Sequence, residues 1–197
     1  MNVIQIGANR GYDDLTELIK EKIINKLILV EPFEEHNKSL EACYSSVPNL
    51  VIENIIIHDE INKSESLIFY HANDATVPPE GMGKFELASL NKFHSLGIRQ
   101  EYRKEGILKR RLKSMTINQL FEKYQLLEID ILFIDTEGYD CKIIKSINFE
   151  KYKIKNLFYE NLHCDIEELQ AYLESKNYLV TRKVLTNQWM DNAKRFS

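Results

Sequence analysis

The chain has 197 residues, 44% hydrophobic and 28% charged, with a net charge of -4. That is the size of a single domain able to bury a proper core, and the net charge argues neither for a nucleic-acid-coating protein nor for an acidic disordered tail. No apolar run approaches membrane-spanning length and no basic, then apolar, leader opens the chain, so the expectation is a soluble cytoplasmic protein with no membrane partner.

In chain order, Val3-Ile4-Gln5-Ile6 reads as a short buried strand. It runs into Gly7-Ala8-Asn9-Arg10-Gly11, a turn with glycines four apart. Glycine lets main-chain N–H groups approach a ligand closely, so the turn is either a ligand-binding corner or a tight turn and nothing more. Asp14 with Glu17 has the shape of a capping box for a first helix through Leu15, Leu18, Ile19 and Ile23. Leu27 to Val30 is a continuous apolar run of strand length, as in a buried parallel strand, and it is tipped by Glu31. Glu31 follows Gly7 by 24 positions, close to the spacing at which a nucleotide-binding βαβ unit places a carboxylate on ribose hydroxyls.

A second helix follows Pro32, with Phe33, Leu40, Cys43 and Tyr44 in phase. Leu50 to Glu53 is a third strand, which Asn54 to His58 prolongs. Leu67 to His71 is a further strand, the expected start of a hairpin. From Ala72 to about Lys113 the pattern breaks down into an irregular insertion, punctuated by Pro78, Pro79, Gly81, Gly83, Gly97 and Gly106. Its end is basic, with Arg99, Arg103, Lys104, Lys109, Arg110, Arg111 and Lys113, which suits either an anionic partner or a solvated face.

Thr116 and Gln119 form a capping box for a helix through Leu120, Phe121 and Tyr124. Ile129 to Ile134 is a buried strand that ends in Asp135-Thr136-Glu137-Gly138-Tyr139-Asp140. Three carboxylates within six residues are costly to gather unless a ligand, cation or water satisfies them. Leu157 to Glu160 repeats the acid-tipped strand, with His163 just beyond, and Asp165 with Glu168 caps a helix. Tyr178 to Thr181 is the closing strand, and the region of Trp189 supplies a short edge strand or covers the sheet. The three cysteines, Cys43, Cys141 and Cys164, are widely spaced and read as reduced thiols.

These elements predict one α/β domain over 1–197: a Rossmann-like, doubly wound, mostly parallel sheet of about seven strands with helices on both faces. With strand order reversing beside the first strand, Gly7, Glu31, Asp135 and Glu137 converge on one crevice. Ile4 to Gly11, Val30-Glu31-Pro32, Ala88-Ser89-Leu90, Ile131 to Asp140 and Tyr159-Glu160-Asn161-Leu162-His163 resemble the FkbM-type methyltransferases, class I S-adenosylmethionine-dependent enzymes. The likeness spans about residues 3 to 182, and its most specific piece is I-D-x-E-G-x-(D/E).

The resemblance implies S-adenosyl-L-methionine bound over Gln5, Gly7, Ala8, Asn9 and Gly11, with Glu31 and Pro32 at the ribose. Asn54 and Ile56 would lie near the adenine and Asp135 near the transferable methyl. Where the family often carries an acid before the first glycine, this chain has Gln5. The implied reaction is O-methylation of a sugar, glycan or natural-product hydroxyl. A hydroxyl nucleophile needs a base, and Glu137 or His163 fills that role, with Asp135 and Glu160 orienting substrate or base; His163 also reads as a helix cap. The same four residues could instead hold a divalent ion. A nucleic-acid methyltransferase using residues 99–113, a nicotinamide-dependent oxidoreductase and a non-catalytic interaction module are the alternatives. Against the oxidoreductase, G-A-N-R-G lacks the third glycine of G-x-G-x-x-G.

Overall fold

Strands that carry apolar residues at both odd and even positions must be covered on both faces, and the central strands here do so. The computed structural model describes residues 1–11, 13–59, 66–72, 88–90, 107–182 and 190–196. Strands β1 (Asn2–Ile6), β2 (Lys26–Val30), β3 (Leu50–Glu53), β7 (Glu128–Ile134), β8 (Lys153–Glu160), β9 (Tyr178–Thr181) and β10 (Met190–Arg195) form a seven-stranded sheet. Its order is β3-β2-β1-β7-β8-β10-β9. On one face Ile4, Ile28, Leu132 and Leu157 pack against α3 (Ile117–Lys123), α4 (Asp140–Ser146) and α5 (Ile166–Ser175). On the other, Val3, Leu27, Leu29, Ile131 and Phe133 pack against α1 (Asp14–Ile19) and α2 (Asn37–Cys43). The predicted doubly wound, mostly parallel sheet of about seven strands is therefore what forms.

The direction of winding reverses at β1. From β1 the chain steps outward to β2 and β3, then returns to lay β7 on the opposite edge of β1, in parallel register from Val3↔Ile131 to Ile6↔Ile134. The carboxyl ends of β1 and β7 thus stand side by side at the switch point, where open α/β sheets form their ligand crevice. Gly7 makes this possible: its φ is +82°, and a Cβ there would lie 1.7 Å from the Asp135 carbonyl oxygen.

Several expectations are corrected. The cap of α1 is Asp13, not Asp14: its carboxylate accepts from the Leu15 and Thr16 N–H groups. Residues 54–58 do not prolong β3. The Asn54 amide donates to the Glu31 carbonyl and exchanges hydrogen bonds with Asn37, which ends the ladder and turns the chain away. Ile56–His58 becomes β4 of a second sheet, ordered β4-β6-β5 with β5 (Ser66–Ala72) and β6 (Ile107–Thr116).

β5 pairs antiparallel with the next strand, β6, as the expected hairpin start requires. β6 occupies the end of the stretch read as irregular. Its signal is hidden because the inward position 110 is an arginine, whose guanidinium lies over the Phe33 ring at 5.4 Å. The expectations at Pro78, Pro79, Gly81, Gly83, Gly97, Gly106, Arg99, Arg103, Lys104 and Trp189 fall outside the described residues. β10 is not an edge strand: it lies between β8 and β9, antiparallel to both. Hydrogen bonding along both of its edges, with Met190 and Ala193 buried, makes a strand of a polar segment. Cys141 and Cys164 are not free thiols but form a disulfide, with Cα atoms 5.9 Å apart. Among the described residues no helix is long and apolar enough to cross a membrane.

Candidate active site

At the switch point the chain ends of β1, β2, β4 and β7 surround a cavity lined by Gly7, Asn9, Gly11, Asp13, Glu31, Pro32, Ile56, Asp135 and Glu137, among others. Its empty volume is about 910 Å³ including the open mouth. The second sheet roofs one side. Phe33, Ile56, Phe69 and Ala88 form a small apolar cluster there, with the Phe33 and Phe69 ring centroids 5.6 Å apart.

The glycine turn is held by its own main chain and by Glu31. The Gly7 and Ala8 N–H groups donate to the Val30 carbonyl at 2.9 and 3.1 Å. Asn9, in the left-handed region at φ 46°, donates its N–H to Glu31 Oε2 at 2.8 Å, and Phe33 N–H donates to Glu31 Oε1 at 3.0 Å. His36 Nδ1 lies 3.4 Å from the same oxygen. Two main-chain donors thus aim the buried Glu31 carboxylate at the cavity wall and leave it lone pairs for further donors.

The acidic loop after β7 is locked from several sides. Asp140 accepts from the Thr136 N–H at 3.2 Å and hydroxyl at 3.0 Å. Ser89, fully buried, donates its hydroxyl to the Glu137 carbonyl at 3.0 Å, and the Tyr139 hydroxyl donates to Asp59 at 2.6 Å. Glu137 and Gly138 have φ of 52° and 91°. A non-glycine residue held there persists only when its surroundings over-determine it, and these three anchors do so.

Burial dominates the electrostatics. It pushes the Asp135 carboxyl well above the usual range, and the like charges of Asp140, Glu160, Glu137 and Asp13 push the same way. Burial, then Glu137 and Asp140, raises Glu160 to about 8. Burial raises Asp140 to about 6, against the lowering hydrogen bonds from Thr136. Crowded, buried carboxyls of this kind keep their protons to higher pH than isolated ones.

Of the residues singled out in the sequence, Gly7, Asn9, Gly11, Glu31, Pro32, Ile56, Asp135 and Glu137 line the cavity. Gln5, Ala8, Asn54, Glu160 and His163 do not. Gln5 and Ala8 are buried behind the turn, Asn54 braces Glu31 from behind, Glu160 stands within electrostatic reach of Glu137, and His163 is exposed. Among the described residues no group of three or more His, Cys, Asp or Glu side chains is arranged to hold a metal ion, which does not support the divalent-ion reading of Asp135, Glu137, Glu160 and His163. Sequence reasoning missed Asp13 as a lining residue, because the Asp13-Asp14 pair does not say which of the two caps. It also missed Phe69, since its partner Phe33 lies on the distant segment that follows β2.

An open, doubly wound sheet with a glycine turn and an acid-tipped neighbour at its switch point defines a Rossmann-like α/β domain. The Methyltransferase FkbM domain matches residues 5–180, and the chain belongs to that family. A search of curated proteins finds no significant match. A similar solved structure is the crystal structure of methyltransferase FkbM from Methylobacillus flagellatus KT, with a TM-score of 0.53 and 14% identity over 98% of this chain. At that identity the likeness concerns the fold, and the chain spans 43% of the length of that protein.

Proposed function

We propose that the chain is an S-adenosylmethionine-dependent methyltransferase acting on a hydroxyl of a sugar, glycan or small natural product. The observation that carries the reading is the meeting of the Gly7 turn, Glu31 and the Asp135–Asp140 loop around one cavity. The residues fit the cofactor. Gly7 and Gly11 line the cavity with main chain alone, Glu31 offers acceptors for ribose hydroxyls, and Phe33, Phe69, Ile56 and Ala88 offer an apolar slot for a planar base. S-adenosylmethionine supplies a methyl group on a sulfonium that is already reactive.

The protein's share is then alignment and proton removal. Glu137 lines the cavity and His163 does not, so Glu137 is the base proposed for the acceptor hydroxyl. Asp135, which also lines the cavity, orients the acceptor, while Glu160 stands behind the wall within electrostatic reach of Glu137. A second reading, a nucleic-acid acceptor, draws on Lys109, Arg111 and Lys113, which alternate along β6 and are exposed; acceptor binding that weakens steeply with salt would favour it.

The test is calorimetric titration with S-adenosylhomocysteine and with NAD. The native chain is expected to bind the first and not the second, and Glu31→Gln to weaken binding by about tenfold or more through loss of charge-assisted acceptance. Tight NAD binding without S-adenosylhomocysteine binding would overturn the assignment.

A further inference from the structure

The amino-acid end of the cavity has a surplus of acceptors. Asp13 and Asp135 both line it, near enough that the charge of Asp13 helps raise the Asp135 carboxyl. Among the described residues no lysine or arginine lines the cavity. Two carboxyls on one cavity wall without a cation are costly, and a group that brings donors and a positive charge relieves them.

Gln5 explains how a carboxylate comes to stand there. Its amide Nε2 donates to Asp13 Oδ2 at 2.5 Å, while Asp13 Oδ1 accepts from the Leu15 and Thr16 N–H groups at 3.0 and 3.3 Å. Asp13 is thus fixed from below by Gln5 and from the side by α1. A carboxylate at position 5 would face Asp13 as a like charge; an amide grips it.

We propose that Asp13, gripped by Gln5 and facing Asp135 across the Gly7 turn, is the carboxylate that receives the α-ammonium group of the bound amino-acid moiety, Gln5 being a positioning residue and not a contact. The inference rests on the cofactor reading above. The ammonium donates to Asp13 Oδ2 and to Asp135, and no covalent step is involved.

Two ligands separate this role from helix capping. S-adenosylhomocysteine carries the ammonium, whereas 5′-methylthioadenosine keeps the nucleoside and thioether but lacks the amino-acid end. Asn and Ser both cap helices, so Asp13→Asn and Asp13→Ser keep α1 while removing the charge, and thermal melting by circular dichroism verifies that they fold. Both variants are expected to bind S-adenosylhomocysteine about tenfold or more weakly, as for loss of a charged hydrogen-bond acceptor, and 5′-methylthioadenosine within about twofold of the native chain. Unchanged S-adenosylhomocysteine affinity in both would overturn the role of Asp13 and leave the cofactor reading standing. An equal loss for the two ligands would show that Asp13 acts through the fold, and would also overturn it. If the native chain binds neither ligand, the cofactor reading itself fails.

Discussion

Glu160 occupies a place where a charge is expensive. Its carboxyl is buried, one oxygen has no hydrogen-bond partner, and Glu137 and Asp140 stand nearby. Burial first, and then those neighbours, raise it from 4.5 to about 8. The folded chain therefore keeps a proton that the unfolded chain has lost, and stability falls as pH rises from about 4.5 to about 8. Glu160→Gln carries no such proton. It is expected to match the native chain near pH 4.5 and to exceed it above pH 8 by about 2–5 kcal/mol in denaturant titrations. Parallel pH profiles for the two proteins would show that Glu160 is charged throughout. At this scale much of the site was legible: Gly7, Glu31, Asp135 and Glu137 were named because a turn needs glycine and a strand tip tolerates a carboxylate only for cause. Asp13 was not, since two adjacent aspartates compete for one cap and only the position of Gln5 decides between them.

At the scale of elements, the disulfide ties together the two acid-bearing ends of the sheet. Cys141 follows Asp140 in the first turn of α4, and Cys164 lies four residues after Glu160. Because β7 and β8 are adjacent and parallel, both cysteines leave the sheet at the same edge. Spacing along the chain could not show this. Closing a loop with a sequence separation of 23 restricts the unfolded chain by about 3 kcal/mol. Reductant is therefore expected to lower the unfolding midpoint of the native chain, Cys164→Ser to lower it similarly, and reductant to do nothing further to Cys164→Ser. A native midpoint indifferent to reductant would mean that the thiols are free. The division of Leu50–His58 into two strands has the same origin: its apolar run is continuous, and only the hydrogen bonds of Asn54 to Glu31 and Asn37 break it.

For the whole molecule, the last strand has more consequence than its polar sequence suggests. β10 is hydrogen-bonded to β8 on one side and β9 on the other, so its removal opens the sheet and leaves β9 without a partner strand. A chain ending before Met190 is expected to lose its single cooperative thermal transition in calorimetry and to expose apolar surface to a hydrophobic dye. A sharp, native-like transition in the shortened chain would show that β10 is only an accessory.

The sequence by itself determined the alternation of strands and helices, the doubly wound class, the glycine turn and the acid-tipped strands. These follow from local physics: side-chain period, backbone freedom at glycine, and the cost of grouping charges. Only the tertiary structure decided that β10 enters between β8 and β9, that Cys141 meets Cys164, that a second sheet roofs the cavity, and that Asp13 rather than Gln5 faces it. Each of these depends on which distant segments become neighbours, and main-chain hydrogen bonding joins strands with little regard for the side chains they carry.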